Sequence, residues 1–247
     1  MGFDITSKEG ISYYTIKSFD NVEDVAHLFS TRMGWNKKNT LENISKVFDV
    51  KLENIVVSNQ VHGTNIAVVE DINFYKEKVY PNGVDGLMTD KTDIVLVTYY
   101  ADCVPLFFLD PNKKVIGLAH GGWRGTVQNI GGKMINTMKE KYNSSIDDIL
   151  VAIGPSIGPC CYEVGIDVYD EFKKRFKFYN EIFKFTSKNK WHLNLWDANK
   201  KILMESGVHE ENISISNLCT SCNNDIFYSY RKEMGIKERM VAAIEMK

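Results

Sequence analysis

The chain has 247 residues, of which 30 are lysine or arginine and 32 are aspartate or glutamate, so its formal net charge is −2. Hydrophobic residues make up 44% and charged residues 25%, which excludes intrinsic disorder, a collagen-like fibre and a disulfide-dense miniprotein. The near-neutral charge argues against a nucleic-acid partner, because phosphate binding usually leaves an excess of lysine and arginine.

Three further features bear on the compartment. The first residues, MGFDITSKEGISYY, include an acidic residue, Asp4, and contain no apolar stretch, so we expect no signal peptide. The longest apolar runs, IVLVTYYA and VPLFFL, are shorter than the roughly 18 residues of a membrane span, so we expect no membrane partner. Five cysteines, including the adjacent Cys160 and Cys161, predict reduced thiols. We therefore expect a cytoplasmic protein, and we expect a monomer.

Short apolar runs of the β type alternate along the chain with helical stretches. Many of the runs are apolar on both faces, which is typical of strands in sheets that are covered on both sides. These runs predict strands over residues 26–31, 54–63, 64–70, 93–101, 104–110, 114–121, 148–154, 212–218 and 239–246.

Apolar residues at spacings of three and four predict four helices, the second of which begins after Thr126. More strand than helix, in mixed order, predicts an α/β or α+β protein, a layered fold with mixed, strand-rich sheets covered by helices. Because no linker or repeat interrupts the sequence, residues 1–247 are predicted to form a single domain. The apolar stripes of the helices are Leu41, Ile44, Val47 and Phe48; Val127, Ile130, Met134, Ile135 and Met138; Val168, Phe172 and Phe176; and Leu195, Ala198, Ile202 and Leu203.

Two of the five histidines, His62 and His120, end strand candidates beside glycine, and Cys103 interrupts an apolar run between them. A polar break in a buried strand has no packing purpose, and two imidazoles with one thiolate form a natural three-ligand zinc site with a fourth position open to water. The separations of 41 residues (62 to 103) and 17 residues (103 to 120) are no compact metal signature. A buried cysteine with two hydrogen-bonded histidines is therefore an equal alternative.

Copper is the other metal that such residues could hold, because two histidines and a cysteine bind blue copper when a methionine supplies a weak axial ligand. The chain has nine methionines. A multicopper oxidase also needs a histidine-rich trinuclear cluster, and five histidines without an H-x-H pair cannot build one. Laccase-type chemistry is therefore excluded, and zinc is favoured over copper.

The segment HGGWRGT (120–126) precedes the second predicted helix. Gly121 and Gly122 let the backbone approach a ligand closely, and Arg124 offers a planar fork that suits phosphate or carboxylate. We take these three residues as candidates for phosphate binding. The alternative is a tight turn with Trp123 in the core and Arg124 in solvent.

Three other segments hold candidate residues. The stiff loop 154–165 could form a pocket wall with Tyr162 stacked on a flat ring, or could be purely structural. Cys219–Cys222 has the form C-x-x-C, a redox pair or half of a zinc site, but no second C-x-x-C accompanies it, so a structural role is favoured. Arg32 and Arg231 are cationic candidates for phosphate, although arginines on the surface without such a role are commoner.

Six sequence blocks follow one another in order along the chain: QVHG (60–63), VDGLMTD (84–90), ADCVPLFFLD (101–110), HGGWRGT (120–126), AIGPSIGPCCYEVG (152–165) and CTSCNNDIFYSYRKE (219–233). In these blocks the chain resembles the YfiH-like, laccase-domain family, long labelled polyphenol oxidases and now regarded as zinc-dependent purine nucleoside phosphorylases. The resemblance covers nearly the whole chain, from about FSTR (29–32) to the C-terminus.

The resemblance implies a layered α/β fold with His62, Cys103 and His120 as zinc ligands. It implies phosphorolysis of adenosine, inosine, guanosine and methylthioadenosine to the base and ribose 1-phosphate, together with deamination of adenosine. Within the same blocks, Gln60 joins the candidates for substrate binding. Some relatives are linked instead to peptidoglycan precursor editing through a metal-independent Cys-His hydrolytic mechanism.

Two segments depart from the family pattern. MGWNKK (33–38) stands where a Gly-Gly pair and a small residue are usual, and residues 236–239 (IKER) replace the common Thr-Gly-Arg. We expect both segments to shape the nucleoside pocket, so the preference among the family's substrates is the part of the resemblance that these departures affect most.

Each proposed reaction needs further groups from the chain. In deamination, zinc would activate water for attack on the purine C6, and Asp102 is a nearby carboxylate that could serve as general acid or base if it shares a face with Cys103. In phosphorolysis, Arg124 and the Gly121–Gly122 backbone would hold phosphate against the ribose C1′. Two other classes remain open: a metal-free hydrolase with Cys103 as nucleophile and His120 as base, and a binding protein with an inert site.

Overall fold

The structure is a computed structural model that describes residues 2–71 and 83–247. Within these residues the strands are β1 (Phe3–Lys8), β2 (Ile11–Ile16), β3 (Val25–Ser30), β4 (Ile55–Val57), β5 (Ile66–Val68), β6 (Gly86–Thr89), β7 (Val95–Tyr100), β8 (Val104–Asp110), β9 (Val115–Gly121), β10 (Leu150–Ile153), β11 (Glu163–Gly165), β12 (Phe183–Ser187), β13 (Lys190–Leu193), β14 (Ile213–Ile215) and β15 (Met240–Met246). The helices are α1 (Lys17–Asp20), α2 (Thr40–Phe48), α3 (Trp123–Val127), α4 (Ile130–Tyr142), α5 (Ile166–Arg175), α6 (Tyr179–Ile182) and α7 (Leu195–Glu205), with short 3-10 helices at Leu52–Asn54 and Glu210–Asn212.

Two six-stranded mixed sheets form the centre of the molecule. Sheet I has the strand order β1-β2-β3-β15-β7-β4, and sheet II has the order β14-β10-β8-β9-β6-β5. Most neighbouring strands are antiparallel; the parallel pairs are β4 with β7, β5 with β6 and β10 with β14. A third, three-stranded antiparallel sheet has the order β11-β13-β12.

Successive side chains along the central strands point to opposite faces and pack into different hydrophobic cores. Three cores therefore separate four layers: α2, sheet I, sheet II and the helices that cover sheet II. Phe107 of β8 faces the core between the two large sheets, which also contains Phe29 and Ile244 of sheet I. Its neighbour Phe108 faces the opposite side, where α4, α5 and α7 cover sheet II. Ile44 of α2 packs on the outer face of sheet I. The predicted α/β (α+β) class, a layered fold of mixed, strand-rich sheets covered by helices, is confirmed.

Each of the nine predicted strands overlaps a strand of the structure, but the prediction for residues 54–63 is too long. The strand there, β4, ends at Val57, and the residues after it form a loop that carries His62 in a left-handed conformation. The sequence analysis missed β1, β2, β6 and the strands of the three-stranded sheet. In β1, five of the six residues are exposed, so no apolar run marks it.

Three of the four predicted helices correspond to α2, α5 and α7, and the second differs from its prediction. The chain forms the short α3 first, and the longer α4 begins only at Ile130. Asn129 causes the break, because its φ of +65° is left-handed and its side chain caps α4 by accepting a hydrogen bond from the Gly132 N–H.

None of the helices in the described ranges is long and apolar enough to cross a membrane. The prediction that residues 1–247 form a single domain includes positions outside the described ranges, and it stays a prediction. The same holds for the monomeric state that the sequence led us to expect.

Glu245 is a buried carboxylate in β15, the strand at the centre of sheet I. The residue is 1% exposed, and its Oε2 has no hydrogen-bond partner among the described residues. Burial raises the pKa of Glu245 to about 7, with the charge of Lys247 acting to lower it and that of Asp93 to raise it. Ionising this group therefore destabilises the folded state.

We predict that Glu245→Gln stabilises the protein at alkaline pH. The pKa of a glutamate in an unfolded chain is about 4.3, so the wild type loses stability as the pH rises from there, and the loss is complete above the folded-state pKa of about 7. The gain in free energy of unfolding should be on the order of 2 to 3 kcal/mol at about pH 8 and much smaller at about pH 5. Urea denaturation measures both values, and an equal gain at the two pH values would contradict the prediction.

Candidate metal centre and active site

The three predicted metal ligands come from separate segments and meet in the structure. His120 lies in β9, Cys103 directly precedes β8, and His62 lies in the loop after β4. One ligand atom from each lies within 4.8 Å of the others, and His62 Nε2 is 4.0 Å from Cys103 Sγ. Zinc bound by a sulfur and a nitrogen holds these atoms about 3.6 Å apart. The side chains are therefore placed to share one ion.

Backbone conformation makes this convergence possible. His62 and Asp102 have left-handed φ values of +62° and +82°, which turn the chain sharply at the first ligand and directly before the second. Gly122 begins the turn into α3, and a Cβ at this position would lie 3.2 Å from His62 Cδ2 and 3.3 Å from Cys103 Sγ. A methyl group at residue 122 would therefore be in tight contact with two of the ligands, which would have to move by a few tenths of an ångström to accept it.

Asp85 holds His120 and the loop that carries His62 through hydrogen bonds. Its carboxylate is fully buried; Oδ1 accepts a hydrogen bond from the His62 N–H and lies 2.9 Å from His120 Nδ1, and Oδ2 accepts from the N–H groups of Val61 and Gly63. Burial acts to raise the pKa of Asp85, but the hydrogen bonds from His120 and the backbone lower it overall. The ionised carboxylate accepts the Nδ1–H of His120 and leaves Nε2 for a metal.

The charges of the site favour the thiolate form of Cys103. Burial acts to raise the pKa of Cys103, yet the charge of His120 and hydrogen bonds from both histidines lower it to about 6. Burial acts to lower the pKa of His120, yet the Cys103 charge and the hydrogen bond to Asp85 raise it to about 9. Between these pH values the metal-free site holds a thiolate beside an imidazolium. A thiolate is both a metal ligand and a nucleophile.

A cavity of about 540 Å³ opens onto the three ligands. Its walls in the described part of the chain include Gln60, Tyr99, Tyr230 and Arg239. Small-molecule sites have volumes of about 300 to 1,000 Å³, so this cavity can take a nucleoside. Arg239 belongs to the C-terminal segment that we expected to shape the pocket.

Two wall residues are fixed by hydrogen bonds to main-chain atoms. Gln60 Nε2 donates to the Tyr99 carbonyl at 2.9 Å, and Gln60 Oε1 accepts from the Tyr99 N–H at 2.7 Å. Arg239 Nη1 donates to the carbonyl oxygens of Ile236 and Glu238. Gln60 keeps one N–H and one lone pair, and Arg239 keeps three N–H groups, for other partners.

Tyr162 lies near the site with two arginines around it. The Arg231 guanidinium carbon is 5.3 Å from the centre of the Tyr162 ring. Burial is the main cause of the raised pKa of Tyr162; the charge of Cys103 acts in the same direction, while Arg231 and Arg124 act to lower it. Arg124 itself is exposed and lies 4.4 Å over the Trp123 ring. Neither Arg124 nor Tyr162 is among the described residues that line the cavity.

Asp102 and Arg32, predicted as acid or base and as a phosphate ligand, contact neighbouring segments instead. The Asp102 oxygens accept hydrogen bonds from Thr220 Oγ1 at 2.6 Å and from the Arg231 N–H at 2.7 Å. Arg32 forms an ion pair with Glu233 at 3.3 Å. Among the described residues, neither lines the cavity. Their predicted roles stay predictions, and these contacts favour a positioning role for both.

Comparison with known proteins places the chain in a family. The family described as "Multi-copper polyphenol oxidoreductase laccase" matches residues 18–247. The chain belongs to this family. The resemblance inferred from the six sequence blocks is therefore confirmed.

Relatives in the family share the fold and carry enzyme names. The chain is 37% identical over 210 residues to purine nucleoside phosphorylase YlmD of Bacillus subtilis, covering 83% of this chain and 76% of the relative. It is 33% identical over 192 residues to adenosine deaminase RL5 from an unknown prokaryotic organism, covering 76% and 72%. The crystal structure of YlmD from Geobacillus stearothermophilus matches with a TM-score of 0.90 at 30% identity, covering 100% of this chain and 99% of that one.

Sequence reasoning did not single out three residues of the site: Asp85, Tyr99 and Tyr230. Asp85 did carry a signal, because it is a charged residue just before an apolar strand, as Asp102 is. The two tyrosines had none, since only the folded chain brings residues so distant in sequence to one cavity, and Arg239 was reached only as part of segment 236–239.

We predict that Asp85→Asn weakens metal binding at the three-ligand centre by about 10- to 100-fold, because the amide cannot accept hydrogen bonds at both of its ends. The readout is the zinc concentration that protects Cys103 from alkylation in metal-stripped protein, followed by mass spectrometry of the peptide that contains it.

The matched control for this prediction is Asp110→Asn. Asp110 is also fully buried, and its Oδ1 accepts hydrogen bonds from the N–H groups of Asn112 and Lys113. Its replacement should lower stability and leave the protecting zinc concentration unchanged. Equal protection of Cys103 in the wild type and the Asp85→Asn variant would show that Asp85 does not support the centre.

Proposed function

We propose that the protein is a zinc-dependent purine nucleoside phosphorylase that also deaminates adenosine. The main support is that His62, Cys103 and His120 bring ligand atoms within 4.8 Å of one another beside a cavity of about 540 Å³. The names of the two enzymes described above, a purine nucleoside phosphorylase and an adenosine deaminase, agree with this choice of substrate and reactions.

The donor set fits zinc. Two imidazoles and one thiolate make a catalytic zinc site that keeps one position open, and Asp85 supplies the carboxylate that orients His120. Copper chemistry of the laccase type needs further histidines close by. The other three histidines of the chain, His27, His192 and His209, do not belong to the ligand group.

When bound, zinc supplies a Lewis acid and a water molecule of lowered pKa. The cavity walls bind and orient the nucleoside. Tyr99 and Tyr230 offer aromatic faces to the purine, and Gln60 offers its remaining N–H and lone pair to the polar edge of the base. These contacts hold the purine against the ligand centre.

Phosphate needs a cation beside the ribose, and two arginines are candidates. Arg124, with the Gly121–Gly122 backbone, is the candidate from the sequence, and Gly122 lies directly against the Cys103 sulfur. Arg239 is a second candidate because it lines the cavity and is fixed through one nitrogen, which leaves a fork of N–H groups for an anion.

We predict that Arg239→Ala raises the KM for phosphate about tenfold or more, because the loss of a charge-assisted hydrogen bond costs about 1.5 to 3 kcal/mol. Arg124→Ala should raise it by a smaller factor. Zinc content should be unchanged in both variants. Phosphate-dependent kinetics on adenosine measure these values, and an unaltered KM for phosphate would remove the substituted arginine from the mechanism.

The reaction itself is tested with adenosine. With phosphate, we expect adenine and ribose 1-phosphate, and without phosphate we expect inosine. A chelator should abolish both products, and His62→Ala should lower kcat/KM for both by about 10³-fold or more, in line with the contribution of a metal ion. Zinc-loaded wild-type protein that turns over no nucleoside would refute the proposed function.

A metal-free hydrolase is the second candidate, and one observation favours it. Cys103, His120 and Asp85 form a chain of nucleophile, imidazole and orienting carboxylate, in which the thiol is ionised above about pH 6 and His120 holds a proton for the leaving group. Such an enzyme would work in the presence of a chelator and would be inactivated by thiol alkylation. The zinc enzyme would lose activity to the chelator, so one pair of assays separates the two functions.

A further inference from the structure

The four cysteines that the proposed centre does not use lie together. Cys160 and Cys161 are in the turn between β10 and β11, and Cys219 and Cys222 follow β14. Their sulfur atoms all lie within 4.8 Å of one another, and Cys222 Sγ is 3.4 Å from both Cys160 Sγ and Cys161 Sγ. The C-x-x-C segment therefore meets an adjacent pair of cysteines, in place of the second C-x-x-C that the sequence lacks.

The sulfur separations suit one tetrahedral ion. Four thiolates bound to zinc at about 2.3 Å lie about 3.8 Å from one another, within the separations of 3.4 to 4.8 Å found here. A disulfide would bring two sulfurs to about 2.05 Å, and a cluster of several irons would carry its cysteines on different irons, farther apart. We propose that Cys160, Cys161, Cys219 and Cys222 form a second, structural zinc site.

A backbone hydrogen bond supports a thiolate at one of the four positions, Cys219. Cys219 is only 5% exposed, and its sulfur accepts a hydrogen bond from the Gly158 N–H at 3.2 Å. Such a donor offsets part of the cost of placing negative charge on a buried sulfur. Cys160 and Cys222 are exposed, which gives the ion a path from solvent. Each thiol releases one proton to solvent as the ion binds, so binding needs no oxidant.

The ion would stabilise one side of the candidate active site. Thr220, next to Cys219, donates its hydroxyl hydrogen bond to Asp102, and the Arg231 N–H donates to the same carboxylate. Asp102 in turn precedes the ligand Cys103. An ion held by four protein ligands keeps no open position, so the proposed role of the second site is to fix these segments rather than to react.

The test is the zinc content of the full chain, purified with a reductant and measured by elemental mass spectrometry. The wild type should hold about two zinc ions per chain. Cys160→Ser/Cys222→Ser, which changes only the two exposed sulfurs, should hold about one fewer, and His62→Ala/His120→Ala should also hold about one fewer. Met204→Ser, which removes a sulfur that is 40% exposed and belongs to neither group, should match the wild type.

X-ray absorption on His62→Ala/His120→Ala then identifies the ligands of the remaining zinc. Four sulfurs at about 2.3 Å from the zinc support the second site. This measurement tests the second site even if the cysteine variant does not fold. The second site is overturned by nitrogen or oxygen ligands, by a disulfide among the four cysteines, or by a cysteine variant that keeps the zinc content of the wild type. Zinc lost from the cysteine variant but not from the histidine variant would support the second site and refute the proposed catalytic centre.

Discussion

The buried carboxylate of Asp85 holds two of the three candidate ligands relative to each other. A charge without exposure to water destabilises a protein unless its oxygens are paired, and Asp85 is paired with three backbone N–H groups and one imidazole. The N–H groups belong to the loop that carries His62, and the imidazole is that of His120. Because one group binds both, the spacing of the two rings is set by the folded chain before any ion is bound.

The register of sheet II brings the third ligand to the same place. Antiparallel pairing of β8 with β9 sets Val104 opposite Gly121, so Cys103 and Gly122 follow at the adjoining ends of the two strands. The sulfur then lies against the one residue that offers no side chain to block it. Hydrophobic cores lie on both sides of these strands. His120 within β9 and Cys103 directly before β8 are therefore held more rigidly than ligands on loops alone.

Much of this arrangement could be predicted from the sequence, and the reasons for the failures are physical. Apolar runs marked nine strands, although the strand within 54–63 is shorter than predicted. The exposed β1 leaves no such run, and the short, buried β6 was missed as well. A polar break in an apolar run marked Cys103, strand ends beside glycine marked His62 and His120, and the charged Asp85 just before a strand was overlooked. Strand order, the wall residues and the meeting of Cys160 with Cys222 depend on contacts between distant segments, which no local pattern carries.

β15 is the last strand along the chain, yet it lies between β3 and β7 in the middle of sheet I. Its pairing sets Ala242 opposite Phe29, and contacts between residues so far apart in sequence form slowly because a long loop has to close first. Until β15 pairs, β3 and β7 each leave an unpaired edge in the middle of sheet I, and such edges can pair with other chains. Arg239 directly precedes β15, so the cavity wall that it forms depends on the placement of this strand.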